Sequence, residues 1–168
     1  MAKKEKKVIH YNSYENAQLS AMWPAPYEYK GIYYKCVEQH FVFMKLHKSE
    51  KELRGKTMTS YDPYKMKHFG SKKAGGKERE DQDTKCIDTM RIAIRESYMQ
   101  NPHRLIYLLN TKDAILIHRA DWDDKWGDGK NGKGANMHGI LTMEFRDKMK
   151  GVDVWEACRK HKITESKK

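Results

Sequence analysis

The chain has 168 residues, of which 34% are charged and 38% are hydrophobic, and these values predict one globular domain. The 34 lysines and arginines exceed the 23 acidic residues, and the net charge of +11 favours polyanionic partners such as DNA, RNA or anionic substrates. No apolar run approaches the roughly 20 residues needed to cross a bilayer, so no membrane partner is expected.

The cysteine and histidine patterns indicate neither a metal site nor a disulfide framework. Cys36, Cys86 and Cys158 lie far apart and form no CxxC pair. The eight histidines form no HxxxH or HExxH pattern. We therefore expect no metal, no cofactor and a reducing, cytoplasmic location. The first residues lack the apolar stretch of a signal peptide and are interpreted as a basic tail.

Hydrophobic periodicity and helix-breaking residues predict a mainly α-helical fold with a small hairpin and a few short β-strands. The hairpin is predicted at residues 26–34 and a strand at 114–117. Helices are predicted at residues 36–47, 49–54, 63–69, 81–99, 102–109, 137–149 and 152–160. Gly55 and Gly70 are interpreted as helix ends. The domain is expected at 9–160, between basic tails at 1–8 and 161–168.

The most informative feature is the glycine-rich segment, residues 123–136, with the sequence DDKWGDGKNGKGAN. It combines four glycines, three acidic residues, a tryptophan and two asparagines. Such a segment is typical of a pocket for a sugar or a nucleotide, although a long polar hairpin loop has a similar composition.

Five sequence blocks, in this order, resemble the NADAR family, also called YbiA-like proteins, whose name refers to NAD and ADP-ribose. The resemblance covers roughly residues 9–150, and the glycine-rich segment is its most specific part. The matching residues are 19–27, 37–42, Pro63, Lys67, Gly70, 90–102, Asp123, Trp126, Gly127, Gly129, Gly134, Asn136, Gly139, Leu141, Met143 and Arg146. The resemblance implies a YbiA-like fold.

The chain departs from the family pattern at four positions. Ala21 replaces an asparagine, Ser71 an arginine, Gln82 a tryptophan and His118 a glutamate. These changes lie in segments expected to line a pocket, so they bear on the substrate more than on the fold.

The resemblance implies hydrolysis of the bond between C1′ of a ribose and a nitrogen. One branch of the family removes ADP-ribose from modified guanine in nucleic acid or nucleotides, and another cleaves ribosylated intermediates of riboflavin synthesis. The strongly positive charge favours the first reaction, which would reverse ADP-ribosylation of DNA in a bacterium or a phage. A non-catalytic module that binds ADP-ribose or nucleic acid is a third interpretation. The oligomeric state is open.

Two carboxylates are the candidate catalytic groups. Glu38, near the start of a largely apolar helix, is expected to be half-buried and suited to proton transfer. Its alternative role is a favourable interaction with the helix dipole. Asp123 could bind ribose hydroxyls or hold a water molecule, or simply form a turn. We expect the two to act on one ribose carbon.

The remaining candidates are substrate-binding residues. Trp126 could stack on a base or anchor its loop, and the glycines would let backbone amides approach phosphate. Asn136 is a predicted N-cap that could also direct amides at an anion. His118 is a substrate contact, a pH-sensitive group or an ordinary strand end. The full set is Trp23, Tyr27, Lys67, His118, Trp126, Gly127, Gly129, Gly134 and Asn136.

Overall fold

The secondary structure is mainly α-helical with a few short strands, which confirms the predicted fold class. The computed structural model describes residues 5–165. The α-helices are α1 (Val37–Lys45), α2 (Lys51–Thr59), α3 (Pro63–Phe69), α4 (Gln82–Met99), α5 (Pro102–Leu109), α6 (Met137–Lys148) and α7 (Val154–Glu165). The strands are β1 (Val8–Tyr11), β2 (Tyr27–Tyr29), β3 (Ile32–Tyr34) and β4 (Ile115–His118). None of the described helices is both long and apolar enough to cross a membrane.

Internal contacts divide the chain into two compact units. The terminal unit combines the residues up to Ser20 with those from Pro102 onward. The central unit is Ala21–Asn101. The two units are described separately below.

In the terminal unit, β1 and β4 pair in parallel and α6 packs on β4. Gly139 permits this approach, because a Cβ there would overlap the carbonyl of Leu116. The buried guanidinium of Arg146 donates to the carbonyl of Ala114 at 2.8 Å and to the hydroxyl of Thr111 at 2.9 Å. Arg146 therefore fixes α6 against the start of β4, which is a structural role.

In the central unit, α1 packs against the long helix α4. Cys86, Met90, Ile94 and Tyr98 are buried and form an apolar face of α4, and Ile87 is half-buried. The predicted hairpin is also confirmed, with β2 and β3 antiparallel. Its turn residues Lys30 and Gly31 both have positive φ, as a tight hairpin turn requires.

Several element boundaries differ from the prediction. Gly55 does not end a helix but lies within α2, which begins at Lys51 rather than 49 and continues to Thr59. Glycine costs only about 1 kcal/mol inside a helix, and the burial of Thr57 favours continuation. Helix α7 likewise continues to Glu165, beyond the predicted end at residue 160.

Strand β1 was not predicted, because it is four residues long and pairs only with a distant strand. It begins at Val8, the last residue of the predicted N-terminal tail, and residues 161–165 of the predicted C-terminal tail belong to α7. Residues 1–4 and 166–168 of those tails lie outside the described residues.

Candidate functional site

The glycine-rich segment follows β4 in the terminal unit, and Asp123 organises its first turn. Oδ1 of Asp123 accepts the backbone N–H of Trp126 at 2.8 Å and that of Lys125 at 3.2 Å. The carbonyl of Asp123 accepts the N–H of Gly127 at 3.1 Å. Asp123 is therefore a turn-forming residue, with a carboxylate held in a fixed direction.

The glycines of this segment lie against the segment's own backbone. A Cβ on Gly134 would lie 2.6 Å from the carbonyl oxygen of Gly127, and one on Gly127 would lie 2.6 Å from the Cβ of Ala120. Gly129 has φ of +60°, and a Cβ there would overlap the carboxylate of Asp124. These contacts explain three glycines by the tight fold of the loop. Their contact with phosphate stays a prediction.

Asn136 links the glycine-rich segment to β4. Its Nδ2 donates to the carbonyl of Leu116 at 2.9 Å, and its Oδ1 accepts the N–H of His118 at 2.9 Å. Asn136 occupies the N-cap position of α6 with φ of 50°, but its side chain makes no capping hydrogen bond. The predicted N-cap position is therefore confirmed, but the side chain does not cap the helix, because the strand backbone uses both polar ends of its amide.

His118 lies in a cluster with two residues that the sequence analysis did not single out. Its ring stacks on Tyr11, with centroids 5.2 Å apart and planes at 17°. The ring of His138 lies 5.4 Å from that of His118. The hydroxyl of Tyr11 lies 2.6 Å from Nδ1 of His138. The parallel pairing of Tyr11 with His118 at the end of β1 and β4 produces this cluster.

The two histidines of the cluster differ in exposure. His138 is buried, and burial lowers its pKa well below the usual value, with smaller contributions in the same direction from His118 and Arg104. Its Nε2 has no hydrogen-bond partner among the described residues. His118 is half-buried, and its Nδ1 lies 3.2 Å from the carbonyl oxygen of Trp126. Of the two, His118 is therefore the one with a solvent-facing surface.

Two tryptophans lie close together in sequence here, and only one was predicted as a site residue. Trp126 is half-buried, and Nζ of Lys125 lies 5.7 Å from the centroid of its ring. Trp122 is 77% exposed, immediately before Asp123. Its indole therefore presents a large apolar aromatic area to solvent.

In the central unit, Glu38 lies in the first turn of α1 and is half-buried, as expected. Its backbone N–H donates to the carbonyl of Ala21 at 2.9 Å. This bond fixes the start of α1 to the segment that precedes the hairpin. Val37, Gln39 and His40 around it are buried, so Glu38 emerges from an otherwise enclosed turn.

The other predicted residues of the central unit differ in burial. Tyr27 is buried, and its hydroxyl lies 3.0 Å from Nδ1 of His40. His40 also stacks on Tyr34 with centroids 4.1 Å apart, which makes an aromatic core under the hairpin. Trp23 and Lys67 are half-buried. The pocket roles of Trp23, Tyr27 and Lys67 stay predictions.

The predicted residues thus fall in both units. The glycine-rich segment, Asn136 and His118 lie together in the terminal unit, linked by the hydrogen bonds given above. Glu38, Trp23, Tyr27 and Lys67 belong to the central unit. Two clefts of the central unit, of about 540 and 500 Å³, are lined by none of these residues. Within residues 5–165, no three histidine, cysteine or acidic side chains are grouped closely enough to hold a metal ion.

Comparison with known proteins identifies a family and a fold. The sequence pattern of the NADAR domain matches residues 2–150 of this chain. The solution NMR structure of the protein YbiA from Escherichia coli superimposes with a TM-score of 0.75. It covers 87% of this chain and 86% of that protein, at 24% sequence identity. This likeness shows a shared fold.

Curated relatives match over shorter stretches. The N-glycosidase YbiA of Shigella flexneri serotype 5b is 42% identical over 60 residues, which are 36% of this chain and 38% of that protein. The chloroplastic riboflavin biosynthesis protein PYRR of maize is 34% identical over 74 residues, 44% of this chain and 12% of that protein. The matched stretch therefore spans well under two thirds of either relative.

Proposed function

Because the chain belongs to the NADAR domain family, we propose that it is an N-glycosidase that hydrolyses the bond between C1′ of a ribose and a nitrogen. The observation that carries the proposal is the family match over residues 2–150. The relative named N-glycosidase YbiA supports this reaction type.

The substrate that we propose is ADP-ribosylated guanine in DNA or in nucleotides. The net charge of +11 supports it, because each phosphate neutralised by a cation adds affinity for nucleic acid, whereas a small-molecule substrate offers few such contacts. A modified guanine amine must be reached in single-stranded or flipped-out DNA. The enzyme would thus reverse ADP-ribosylation of DNA in the cytoplasm, as a defence or counter-defence of a bacterium or phage.

Glu38 is the proposed catalytic carboxylate. Water attacks C1′ as the C1′–N bond breaks, and the bonding electrons leave with the guanine amine, which takes up a proton. A carboxylate stabilises the cation-like sugar in this transition state or accepts the proton of the attacking water. The half-buried position of Glu38 favours this role, since low solvent exposure strengthens its interaction with a developing cation.

The glycine-rich segment is the proposed substrate-binding element. Asp123, with its carboxylate oriented by two backbone N–H groups, accepts hydrogen bonds from ribose hydroxyls. Trp126 stacks on the base or the ribose, and backbone amides of the segment face the diphosphate. His118 contacts the substrate from the end of β4. Within the central unit, we propose that Lys67 binds phosphate and that Trp23 and Tyr27 contact the substrate.

The decisive experiment offers two chemically different substrates to the protein. One is a single-stranded oligodeoxynucleotide carrying one ADP-ribosylated guanine, and the other is the ribosylaminopyrimidine intermediate of riboflavin synthesis. Mass spectrometry of the products is expected to show free ADP-ribose and an oligonucleotide restored to its unmodified mass.

A second candidate function is favoured by the maize relative, whose name refers to riboflavin biosynthesis. Cleavage of the aminopyrimidine alone, with the modified oligonucleotide unchanged, would replace the first proposal by this one. If the protein binds ADP-ribose tightly and cleaves neither substrate over several hours, it is a binding module.

A further inference from the structure

Two tyrosines that lie close together in sequence are strongly exposed in the central unit. Tyr61 is 86% exposed in the connection between α2 and α3, and Tyr64 is 50% exposed in the first turn of α3. Aromatic side chains are usually buried or involved in recognition, since they carry a large apolar area. Two exposed rings three residues apart therefore offer a surface on which a flat ligand can stack.

An open cleft of about 540 Å³ adjoins Tyr61. Tyr61 and Phe69 supply aromatic surface to it, and Lys56 and Lys65 supply cations. Thr59 and Ser60 add hydroxyl groups. Asp62 also lines it, so the cleft combines stacking surfaces, two cations, one carboxylate and hydrogen-bonding groups. We refer to Tyr61, Tyr64, Lys56 and Lys65 as the tyrosine–lysine surface.

The local charge is positive. Residues 61–77 contain five lysines and a single acidic residue. That residue, Asp62, caps α3 by accepting the N–H groups of Tyr64 and Lys65 at 2.9 and 3.3 Å. Lys56 pairs with the exposed carboxylate of Glu52, an interaction that water screens strongly. Of the lysines in this segment, Lys77 pairs with Glu80 at 3.8 Å, whereas the exposed Lys65 lines the cleft beside Tyr61.

Tyr61 is also held in place from one side. Nζ of Lys35 lies 4.4 Å from the centroid of the Tyr61 ring and donates to the carbonyl of Met58 at 2.6 Å. A cation over one face of the ring orients it and leaves the other face for stacking. An exposed tyrosine positioned in this way loses less freedom when a base stacks on it.

We propose that the tyrosine–lysine surface binds single-stranded nucleic acid, with bases stacked on Tyr61 and Tyr64 and phosphates on Lys56 and Lys65. This inference rests on the proposed function, since it assigns the strand that carries the modified guanine to a particular surface. Stacking on aromatic rings with lysines along the backbone is how proteins hold single strands without reading sequence.

The test measures fluorescence anisotropy of a labelled oligothymidylate of about 15 nucleotides, a length that exceeds most single binding sites. Tyr61→Ala and Tyr64→Ala are each expected to weaken binding by about tenfold. Tyr61→Phe keeps the ring and should bind like the wild type. The matched control is Tyr14→Ala, because Tyr14 is 85% exposed in the terminal unit.

The phosphate contacts of the lysines are tested by the salt dependence of oligothymidylate binding. Lys65→Ala should lower the slope of log K against log salt concentration by about 0.7, the contribution of one phosphate contact to a single strand. Lys148→Ala, an exposed lysine at the end of α6, should leave the slope unchanged. Equal slopes for the two variants would contradict the assigned lysine contact.

The outcomes separate this inference from the proposed function. If the tyrosine variants bind oligothymidylate like the wild type, or if the wild type does not bind it, the surface assignment is wrong, whatever the enzyme does with ADP-ribosylated GMP. If the tyrosine variants lose binding to oligothymidylate while the wild type cleaves neither ADP-ribosylated GMP nor modified DNA, the surface assignment is supported and the proposed reaction is wrong.

Discussion

The hydroxyl of Tyr11 lies 2.6 Å from Nδ1 of His138, and both side chains are buried in the terminal unit. Burial lowers the pKa of His138 well below its usual value, so the imidazole is neutral at physiological pH. Its other nitrogen has no hydrogen-bond partner among residues 5–165. Tyr11 therefore provides the hydrogen bond that makes this burial tolerable, and it also supports the ring of His118 by stacking.

Tyr11→Phe is expected to lower the free energy of unfolding by about 1–3 kcal/mol, because it leaves a buried imidazole nitrogen without a partner. Urea denaturation measures the change. Tyr107→Phe is the control, since the half-buried Tyr107 donates to Oδ1 of Asn16 at 3.0 Å and water can replace that bond. If both variants lose the same free energy of unfolding, the buried Tyr11–His138 hydrogen bond contributes no more to stability than the half-buried Tyr107–Asn16 bond.

His40 predicts a pH dependence of stability. Burial lowers its pKa from 6.5 to about 4, against a smaller opposing effect of Glu96. Between these values the unfolded chain binds a proton that the folded chain does not, so stability is complete above pH 6.5 and falls as the pH decreases towards 4. The full loss from this group is about 3 kcal/mol.

Urea denaturation at several pH values tests this expectation. His40→Gln should reduce the decline in unfolding free energy between pH 6.5 and 4. His68→Gln, at an exposed position of α3, should retain the wild-type decline. The same slope in all three proteins would show that His40 is not the responsible group.

The glycine-rich segment predicts a contrast between two glycines. Gly134→Ala places a Cβ 2.6 Å from backbone atoms of Gly127, Gly129 and Asp128, so the loop must rearrange. Gly132→Ala meets no atom within 4 Å, and its φ of +70° costs only about 1 kcal/mol of strain. We expect Gly134→Ala to lose most affinity for ADP-ribose, measured by calorimetry, while Gly132→Ala retains it. If the two variants bind ADP-ribose with similar affinity, the conformation of this loop does not determine binding.

Local signals explain which parts of the fold the sequence could predict. The bounds of α3 and α5 match because Pro63 and Pro102 each occupy a first helical turn, where proline is favoured. The predicted helix end at Gly55 is wrong because glycine often ends a helix but can also lie inside one. It does so when packing of the residues on both sides favours continuation of the helix. Strand β1 forms by pairing with β4, which is distant in sequence, and a local sequence pattern cannot predict such a pairing.

The same distinction applies to the candidate site. Asp123, Trp126 and Asn136 are close in sequence, so their proximity could be expected from one segment. Tyr11 and His138 reach His118 only through the parallel register of β1 and β4 and the packing of α6 on β4. Nor could the sequence show that the amide of Asn136 bonds the strand rather than the helix, since N-cap preferences describe only local bonds.

Glu38→Gln tests the chemistry most directly. The amide keeps the size of the side chain but can neither accept the proton of water nor neutralise a sugar cation, so kcat should fall by about 10²- to 10⁴-fold. Affinity for ADP-ribose should change by less than threefold, roughly the effect of one weak surface contact. Glu28→Gln, at an exposed position of β2, removes the same charge and should retain kcat. If Glu38→Gln turns over normally, Asp123 becomes the leading carboxylate, whereas a parallel loss of binding and turnover would indicate that Glu38 supports the start of α1 rather than the reaction.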